Sequence, residues 1–273
     1  MKAGHPVIAV TRAAEPSHRQ PAVRWMTLDP QDVVGHHRLF AETDCVVDAR
    51  NQRYDDWSAY PAMIEATLAA LDGTAARYVY VGNVYSYGYP PSSDAIDETA
   101  PRNPVSQKGW IRHGIEAQLE TAMSARPIGI VRFPDFYGIS TDLLPHAIRW
   151  FGPASLHHQF VHLPDAARAL RLIAEASAYG EVWHIAGAEP LTGYQLREIA
   201  CQATGRRTRL LVMGPALVRL VGLAFAPARG LIETQYLWQK PVTLDMTKFA
   251  RRFGTDFIHD HAQALQEILA GAR

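Results

Sequence analysis

Short apolar runs rich in β-branched and aromatic residues alternate along this chain with longer stretches whose apolar residues recur every three or four positions. "PVIAVT", "VRWMTL", "DCVVDA", "RYVYVG" and "IGIVRF" have the length and composition of buried strands, and "QFVHL" and "EVWHIA" are weaker examples. Between them, "SAYPAMIEATLAALDG", "SQKGWIRHGIEAQLETAMSA" and "LPDAARALRLIAEASAYG" predict helices. In the second, Ile111, Ile115 and Leu119 recur every four residues and mark one apolar face. Gly73 and Gly180 stand where helix C-caps are expected. Strands interleaved with helices predict a doubly wound α/β fold with a parallel sheet covered on both faces. Past residue 185 the texture changes. "LTGYQLREIACQATGR" predicts a helix N-capped by Thr192, "TRLLVM" a strand and "HDHAQALQEILAGA" a closing helix. The expected organisation is a sheet domain over 1–185 and a small lobe over 186–273.

Composition narrows the partners. Lysine plus arginine equals aspartate plus glutamate at 27 each, so no overall field recruits nucleic acid or an anionic membrane. The local cluster Arg206, Arg207 and Arg209 is expected to be solvated surface. Two cysteines, Cys45 and Cys201, make no disulfide framework, and a reducing cytoplasm is the default compartment. "MKAGHPVIAVTR" lacks the apolar stretch of a signal peptide. "GPALVRLVGLAFAPARG", interrupted by Arg219 and flanked by prolines, is too short to span a bilayer and predicts a core or interface helix. The histidine pairs His36-His37 and His157-His158 lack metal-site spacing and are expected in loops or on the surface, with His162 structural. No metal is expected.

The candidate chemistry centres on "VSQKGWIRHGIEAQL", which follows Pro104 and sets Ser106, then K-G-x-x-R over residues 108–112, then Glu116 in order. "RYVYVGNVYSYG", "GIVRFPDFYG", "QFVHLPDAARAL" and "EVWHIAGAEPLTGYQLREIACQATGR" surround it along almost the whole chain. Together these segments resemble the extended short-chain dehydrogenase/reductase family, which includes NAD-dependent epimerases and dehydratases. The matching patterns are S-S-x-x-V-Y-G, P-x-S-x-Y-G-x-x-K-x-x-x-E, R-P-x-x-x-Y-G and F-V-H-V-D-D-x-A-x-A. The resemblance implies a Rossmann-like doubly wound parallel sheet with a small C-terminal substrate lobe. It also implies NAD or NADP as cofactor, a small-molecule substrate, and the homodimer common in that family.

In that family a Ser or Thr at a strand tip orients a substrate oxygen. A Tyr transfers its proton while hydride passes to or from nicotinamide, and a Lys lowers the tyrosine's pKa and holds ribose hydroxyls. By position these places fall on Asn83, Lys108 and Arg112, and all three differ in residue type. Asn83 keeps an amide donor and acceptor. Arg112 can donate to ribose hydroxyls with a permanent charge. Lys108, beside Arg112 in a site dried by nicotinamide, would have its ammonium disfavoured and become a candidate acid or base. The bland alternative leaves Lys108 and Arg112 as solvated helix residues one turn apart. Tyr85 is the second candidate proton donor and a pocket-lining residue, and Tyr87 is expected to be structural.

The resemblance further implies cofactor contacts from Arg12 to a 2′-phosphate, from Asp29 near adenine, from Asn51 near the nicotinamide ribose, and from Gly82 and Pro134. Asp135 joins Tyr85 as an expected substrate contact. The family's opening strand and G-x-x-G-x-x-G loop have no counterpart here: "HPVIAVTR" resembles its second strand and "VRWMTLDPQD" its third. Either the start lies too far downstream, or the sheet has closed up with "PVIAVT" beside "DCVVDA". Without that bed of backbone N–H groups, dinucleotide binding is expected to be weak or absent. The leading expectation is an NAD(P)-dependent oxidoreductase or epimerase acting on a carbonyl or hydroxyl with altered proton-transfer residues. The second is a catalytically silent dinucleotide sensor or scaffold.

Overall fold

The computed structural model describes residues 4–12, 22–53, 56–92, 94–137, 143–144, 147–224 and 230–271. Along the chain come β1 (Val7–Thr11), β2 (Val23–Thr27), α1 (Val33–Ala41), β3 (Cys45–Asp48), α2 (Tyr60–Leu71), β4 (Arg77–Asn83) and a 3₁₀ turn (Val84–Tyr87). Then follow α3 (Gln107–Ala122), β5 (Ile128–Phe133), β6 (Asp135–Tyr137), β7 (Leu143–Leu144), β8 (Ala147–Trp150), β9 (Phe160–His162), α4 (Leu163–Glu175) and β10 (Glu181–His184). The last elements are α5 (Gly193–Thr204), β11 (Arg209–Val212), α6 (Pro215–Ala224), α7 (Tyr236–Gln239), α8 (Thr247–Phe253) and α9 (His261–Gly271). By compactness the chain divides into one unit of Met1–Val46 with Ser58–Ala76 and another of Val47–Trp57 with Arg77–Arg273.

In the first unit β1 and β2 pair in parallel, from Val7 opposite Val23 to Thr11 opposite Thr27. Helix α1 was not foreseen, because "VVGHHRLFA" shows no clear period. Asp32 starts it by accepting a hydrogen bond from the Gly35 N–H at 2.9 Å. It packs on α2, where His37 Nδ1 meets the Ala70 carbonyl at 3.0 Å. The glycine after α2 takes the expected left-handed conformation, with φ +71° at Gly73.

A four-stranded sheet has the order β10-β5-β4-β3, its strands β10, β5 and β4 lying in the second unit. Both ladders of β5 are parallel, Tyr78 facing Ile128 through Asn83 facing Phe133 on one side, and Glu181 facing Gly129 on the other. All six β5 residues are buried, which is why its sequence does not alternate and is apolar throughout except at Arg132, a charge that must find partners inside. The "RYVYVG" and "IGIVRF" segments are thus buried neighbours, as expected. The closed-up alternative is corrected: β1 pairs with β2, and the described ladders contain no β1–β3 pair.

Other corrections are local. Helix α4 ends at Glu175 and the left-handed residue after it is Ser177, at φ +51°. Gly180, at φ +76°, turns the chain into β10 instead, its N–H reaching the Ile128 carbonyl at 2.7 Å. The short strands β6, β7 and β8 were not foreseen; β6 pairs with β9, and β8 lies between β7 and β11. Thr192 caps α5, as the sequence predicts, and completes a capping box with Gln195. Helix α6 buries Val218 and exposes Leu217, Leu220 and Leu223, so it is not a core helix. No described helix is long and apolar enough to cross a membrane.

Candidate active site

Helix α3 begins where the Ser106 hydroxyl accepts from the Gly109 N–H at 3.0 Å. Its buried residues are Lys108, Gly109, Arg112, Ile115, Glu116 and Leu119, one stripe at helical spacing. The stripe is rotated from the one expected: Ile111 lies half-buried at its border, and two charged residues take its place. Gly109 permits this close approach, since a Cβ there would stand 2.6 Å from the Tyr85 carbonyl oxygen. The bland expectation of solvated helix residues is therefore corrected: Lys108 is 3% exposed and Arg112 5%.

Burial on this scale requires partners. Lys108 Nζ donates to Glu233 Oε1 and, at 3.1 Å, to the Gly230 carbonyl, while the Lys108 backbone N–H meets Glu233 Oε2 at 3.2 Å. Arg112 Nη1 donates to the Tyr80 hydroxyl and, at 3.2 Å, to the Val81 carbonyl. Both cations approach the ring of Trp57, Arg112 Cζ at 4.9 Å and Lys108 Nζ at 5.8 Å from its centroid. Tyr85 stacks on the same ring at 6.0 Å and 23°. The like charges of Lys108 and Arg112 are thus not left facing each other unrelieved. Glu233 supplies an opposite charge that lay 125 residues away in the sequence. Beside the pair lies a cavity of about 50 Å³ lined by Asp56, Trp57, Gln107, Lys108, Ile111 and Glu233. It admits water but not a drug-sized ligand, whose pockets run to roughly 300–1,000 Å³.

The other expected site residues divide. Asn83 uses its side-chain oxygen to accept from the Tyr85 N–H at 3.1 Å, capping the 3₁₀ turn, and Tyr85 is itself buried. Gly82 is packed inward: a Cβ there would stand 3.0 Å from Glu116 Oε1. Pro134 is buried, and Asp135 is half-buried with Oδ2 at 2.8 Å from His158 Nε2. These two line a second cavity, of about 10 Å³. Asn51 is exposed beyond β3. In the first unit Arg12 is exposed at the end of β1, and Asp29 accepts from the Gln31 N–H at 2.8 Å. His158 and His36 are buried rather than superficial, His158 stacking on Trp238 at 4.0 Å between ring centroids. Neither Trp57 nor Glu233 carried a sequence signal: each is a single residue outside any motif.

Two turns along α3 lies a second buried cluster. Glu116 Oε2 accepts from Arg132 Nε and Nη2 at 3.0 and 2.9 Å and from Arg102 Nη1 at 3.0 Å. Arg132 also donates to the Tyr87 hydroxyl at 2.5 Å, and that hydroxyl meets His184 Nε2 at 2.5 Å. His184 Nδ1 lies 3.1 Å from the Ile96 carbonyl, which fits a neutral ring protonated at Nδ1. Burial works against the Arg132 charge, but Glu116 and Tyr87 outweigh it and hold its pKa above the usual value. Burial, with Arg132 adding to it, pushes His184 down to about 3. Burial likewise raises the Tyr87 phenol to about 12.

No family model matches the chain, and no curated protein matches it. Solved structures do. The UDP-N-acetylglucosamine 4-epimerase of Bacillus cereus matches with a TM-score of 0.74 at 16% identity, covering 100% of this chain and 92% of that one. The dTDP-glucose 4,6-dehydratase DesIV of Streptomyces venezuelae, solved with NAD and TYD, matches with a TM-score of 0.72 at 19% identity over 97% and 86%. The chain has the fold of these epimerases and dehydratases. Another such neighbour is the UDP-glucuronic acid 4-epimerase of Bacillus cereus in complex with NAD, with a TM-score of 0.70 at 15% identity over 93% and 83%.

Proposed function

We propose that this chain binds a nicotinamide dinucleotide over the carboxyl ends of β3, β4 and β5 and acts as a catalytically silent sensor or scaffold. One observation carries the reading: the residues at the proton-transfer and ribose-holding places, Lys108 and Arg112, are buried and bonded to the chain's own groups. A group that transfers protons must reach the substrate, and one that holds a ribose must present its donors to it. Here Lys108 is turned to Glu233 and Gly230, and Arg112 to Tyr80 and Val81.

The fit to the cofactor is partial. Asn51 and the backbone at Asn83 and Pro134 stand at carboxyl ends of neighbouring strands, the place where such sheets gather ligands. Those three residues would hold the nicotinamide half. Arg112 does not fit the ribose role. Bound nicotinamide supplies hydride chemistry, and this chain's contribution is to hold and orient it.

The experiment is fluorescence titration with NADH and NADPH on the wild type and on Arg112→Ala, with folding checked by circular dichroism. Weak but saturable binding that Arg112→Ala retains is the expected result, in keeping with a sequence that carries no G-x-x-G-x-x-G motif for the pyrophosphate. Binding abolished in a folded Arg112→Ala and restored by Arg112→Lys would return the arginine to the ribose and sink the reading.

The rival function is an NAD(P)-dependent oxidoreductase or epimerase acting on a carbonyl or hydroxyl of a small molecule. It has one observation of its own: the cavity beside the Lys108–Glu233 pair, which would widen if Glu233 turned outward. Nucleotide sugars are the first substrates to test under that reading, because the structural neighbours are named for them.

A further inference from the structure

His162, His259 and Glu267 form a cluster that shares no residue with the Lys108 and Glu116 clusters. His162 ends β9, His259 precedes α9, and Glu267 lies on α9. A donor atom of each lies within 4.8 Å of the other two. Glu267 Oε1 is 3.3 Å from His259 Nε2, and Oε2 is 4.0 Å from His162 Nε2. The two imidazoles meet edge to face, at 85° with centroids 5.5 Å apart.

The other side of each ring faces one buried carboxylate. Asp165, 1% exposed, holds His259 Nδ1 at 2.6 Å and the His259 backbone N–H at 2.9 Å. Asp165 Oδ2 is also 3.9 Å from His162 Nδ1, a buried atom with no hydrogen-bond partner among the described residues. Both rings therefore turn Nδ1 toward Asp165 and Nε2 toward Glu267. At His259 the carboxylate on Nδ1 fixes the proton there and leaves the Nε2 lone pair free to ligate, the usual supporting arrangement behind a metal-bound histidine, while His162 Nδ1 faces the same carboxylate from beyond hydrogen-bond distance. Tyr137 stacks on the His162 ring at 5.8 Å and 26°, and so limits its rotation.

We propose that His162 Nε2, His259 Nε2 and a Glu267 carboxylate oxygen bind a divalent ion of the zinc type, with water completing the coordination. Two imidazoles and one carboxylate form a set that zinc accepts, with bonds of about 2.0–2.2 Å. Tetrahedral ligands at that range stand roughly 3.3 Å apart. The Glu267–His259 spacing of 3.3 Å already meets this. The remaining spacings must shorten, and Glu267, at 53% side-chain exposure, has the freedom to swing inward. The ion would staple α9 to the end of β9, whose partner strand β6 begins at Asp135. The pairwise adjacency that marks His36-His37 and His157-His158 is the wrong sequence signal for such a site, because its ligands are 97 and 8 residues apart by number (His162 to His259, then Glu267).

The test is competition titration of Zn²⁺ against a chromophoric chelator, using the full chain freed of metal. Co²⁺ serves as the spectroscopic probe of coordination. One equivalent should bind, with Co²⁺ showing the visible bands of a four- or five-coordinate ion. His259→Gln and Glu267→Gln should each weaken Zn²⁺ binding at least ~10-fold, and Asp165→Asn should weaken it ~10–100-fold by releasing the ring it orients. His157→Gln, at an exposed histidine outside the cluster, should change nothing. Because Glu267 is exposed, its variant keeps the fold, and the Zn²⁺-induced rise in Tm should be seen in the wild type and absent from Glu267→Gln. Absence of one-equivalent binding would overturn the proposal. So would Zn²⁺ affinity unchanged in both His259→Gln and Glu267→Gln, since the ion would then sit on others of the twelve histidines.

Discussion

Two buried charge clusters lie on the same face of α3, eight residues or about 12 Å apart along the helix, and they behave differently. Around Glu116 the central pair is shielded: Glu116 and Arg132 are essentially inaccessible, Tyr87 and His184 close the network with neutral groups, and only the outer partners Arg102 and Glu120 reach solvent. Around Lys108 the shielding is one-sided, because Glu233 keeps 28% of its side chain in solvent and borders a cavity. The first cluster is assembled from residues that keep the family's pattern: the Glu of the α3 motif, the Arg of β5 and the Tyr of the 3₁₀ turn. The second sits where that pattern is broken. A retained frame suggested retained chemistry at positions 108 and 112. The structure gives the frame another purpose, since Glu116 neutralises Arg132, Ser106 caps α3 and Gly109 lets the helix touch Tyr85. Under the proposed reading, these motif residues serve packing where the family's reacting pair is replaced by Lys108 and Arg112.

Breaking the first cluster should have the largest effect. Glu116→Gln leaves the buried Arg132 with only the longer, partly exposed counter-charge of Glu120 at 3.6 Å, and unfolding free energy by urea titration should fall by about 3 kcal/mol. A loss under about 1 kcal/mol would mean the two clusters do not differ in the way described. The same cluster should respond to acid. His184 titrates normally near 6.5 when unfolded and is pushed down to about 3 when folded. Above pH 6.5 neither state binds its proton. Between pH 6.5 and about 3 only the unfolded state does, so acidification destabilises the fold by up to about 1.4 kcal/mol per pH unit. Urea titrations at pH 7 and pH 5 on the wild type and His184→Gln should show a smaller pH dependence in the variant. An equal dependence would assign the acid sensitivity elsewhere.

The second cluster should prove softer. Glu233→Gln removes the carboxylate from Lys108 but leaves the Gly230 carbonyl as acceptor and admits water from the exposed side, for a loss of about 1–2 kcal/mol. Lys108→Met should cost less still, about 1 kcal/mol or under, because its stem keeps its packing while Glu233 returns to solvent. Reversal of this order in denaturation experiments would make Lys108 the tighter-held charge.

Much of the fold was legible because burial writes itself into long apolar runs. The six buried residues of β5 could hardly be read as anything but a central strand, and Thr192 announced α5 as its N-cap. The short strands β6 and β8 carry too few residues for a period to show, and α1 is held by its Asp32 cap and by packing on α2 rather than by a regular apolar stripe. At the site, motif positions pointed to Lys108 and Arg112. Their partners could not be found that way, since pairing with Glu233 and shelter under Trp57 arise from segments distant in sequence. The ligands of the proposed metal site escaped for the same reason, His162 and His259 being brought together only by the fold.

The most direct test of the account is turnover measured beside cofactor binding. Wild type and Lys108→Met would be incubated with NAD⁺ and a panel of UDP- and dTDP-sugars, following NADH absorbance and sugar products, while NADH binding is titrated in parallel. The account predicts the same saturable NADH binding in both proteins and no conversion of any sugar by either. Sugar conversion by the wild type that Lys108→Met has lost, with NADH binding intact, would contradict it and establish Lys108 as the proton carrier.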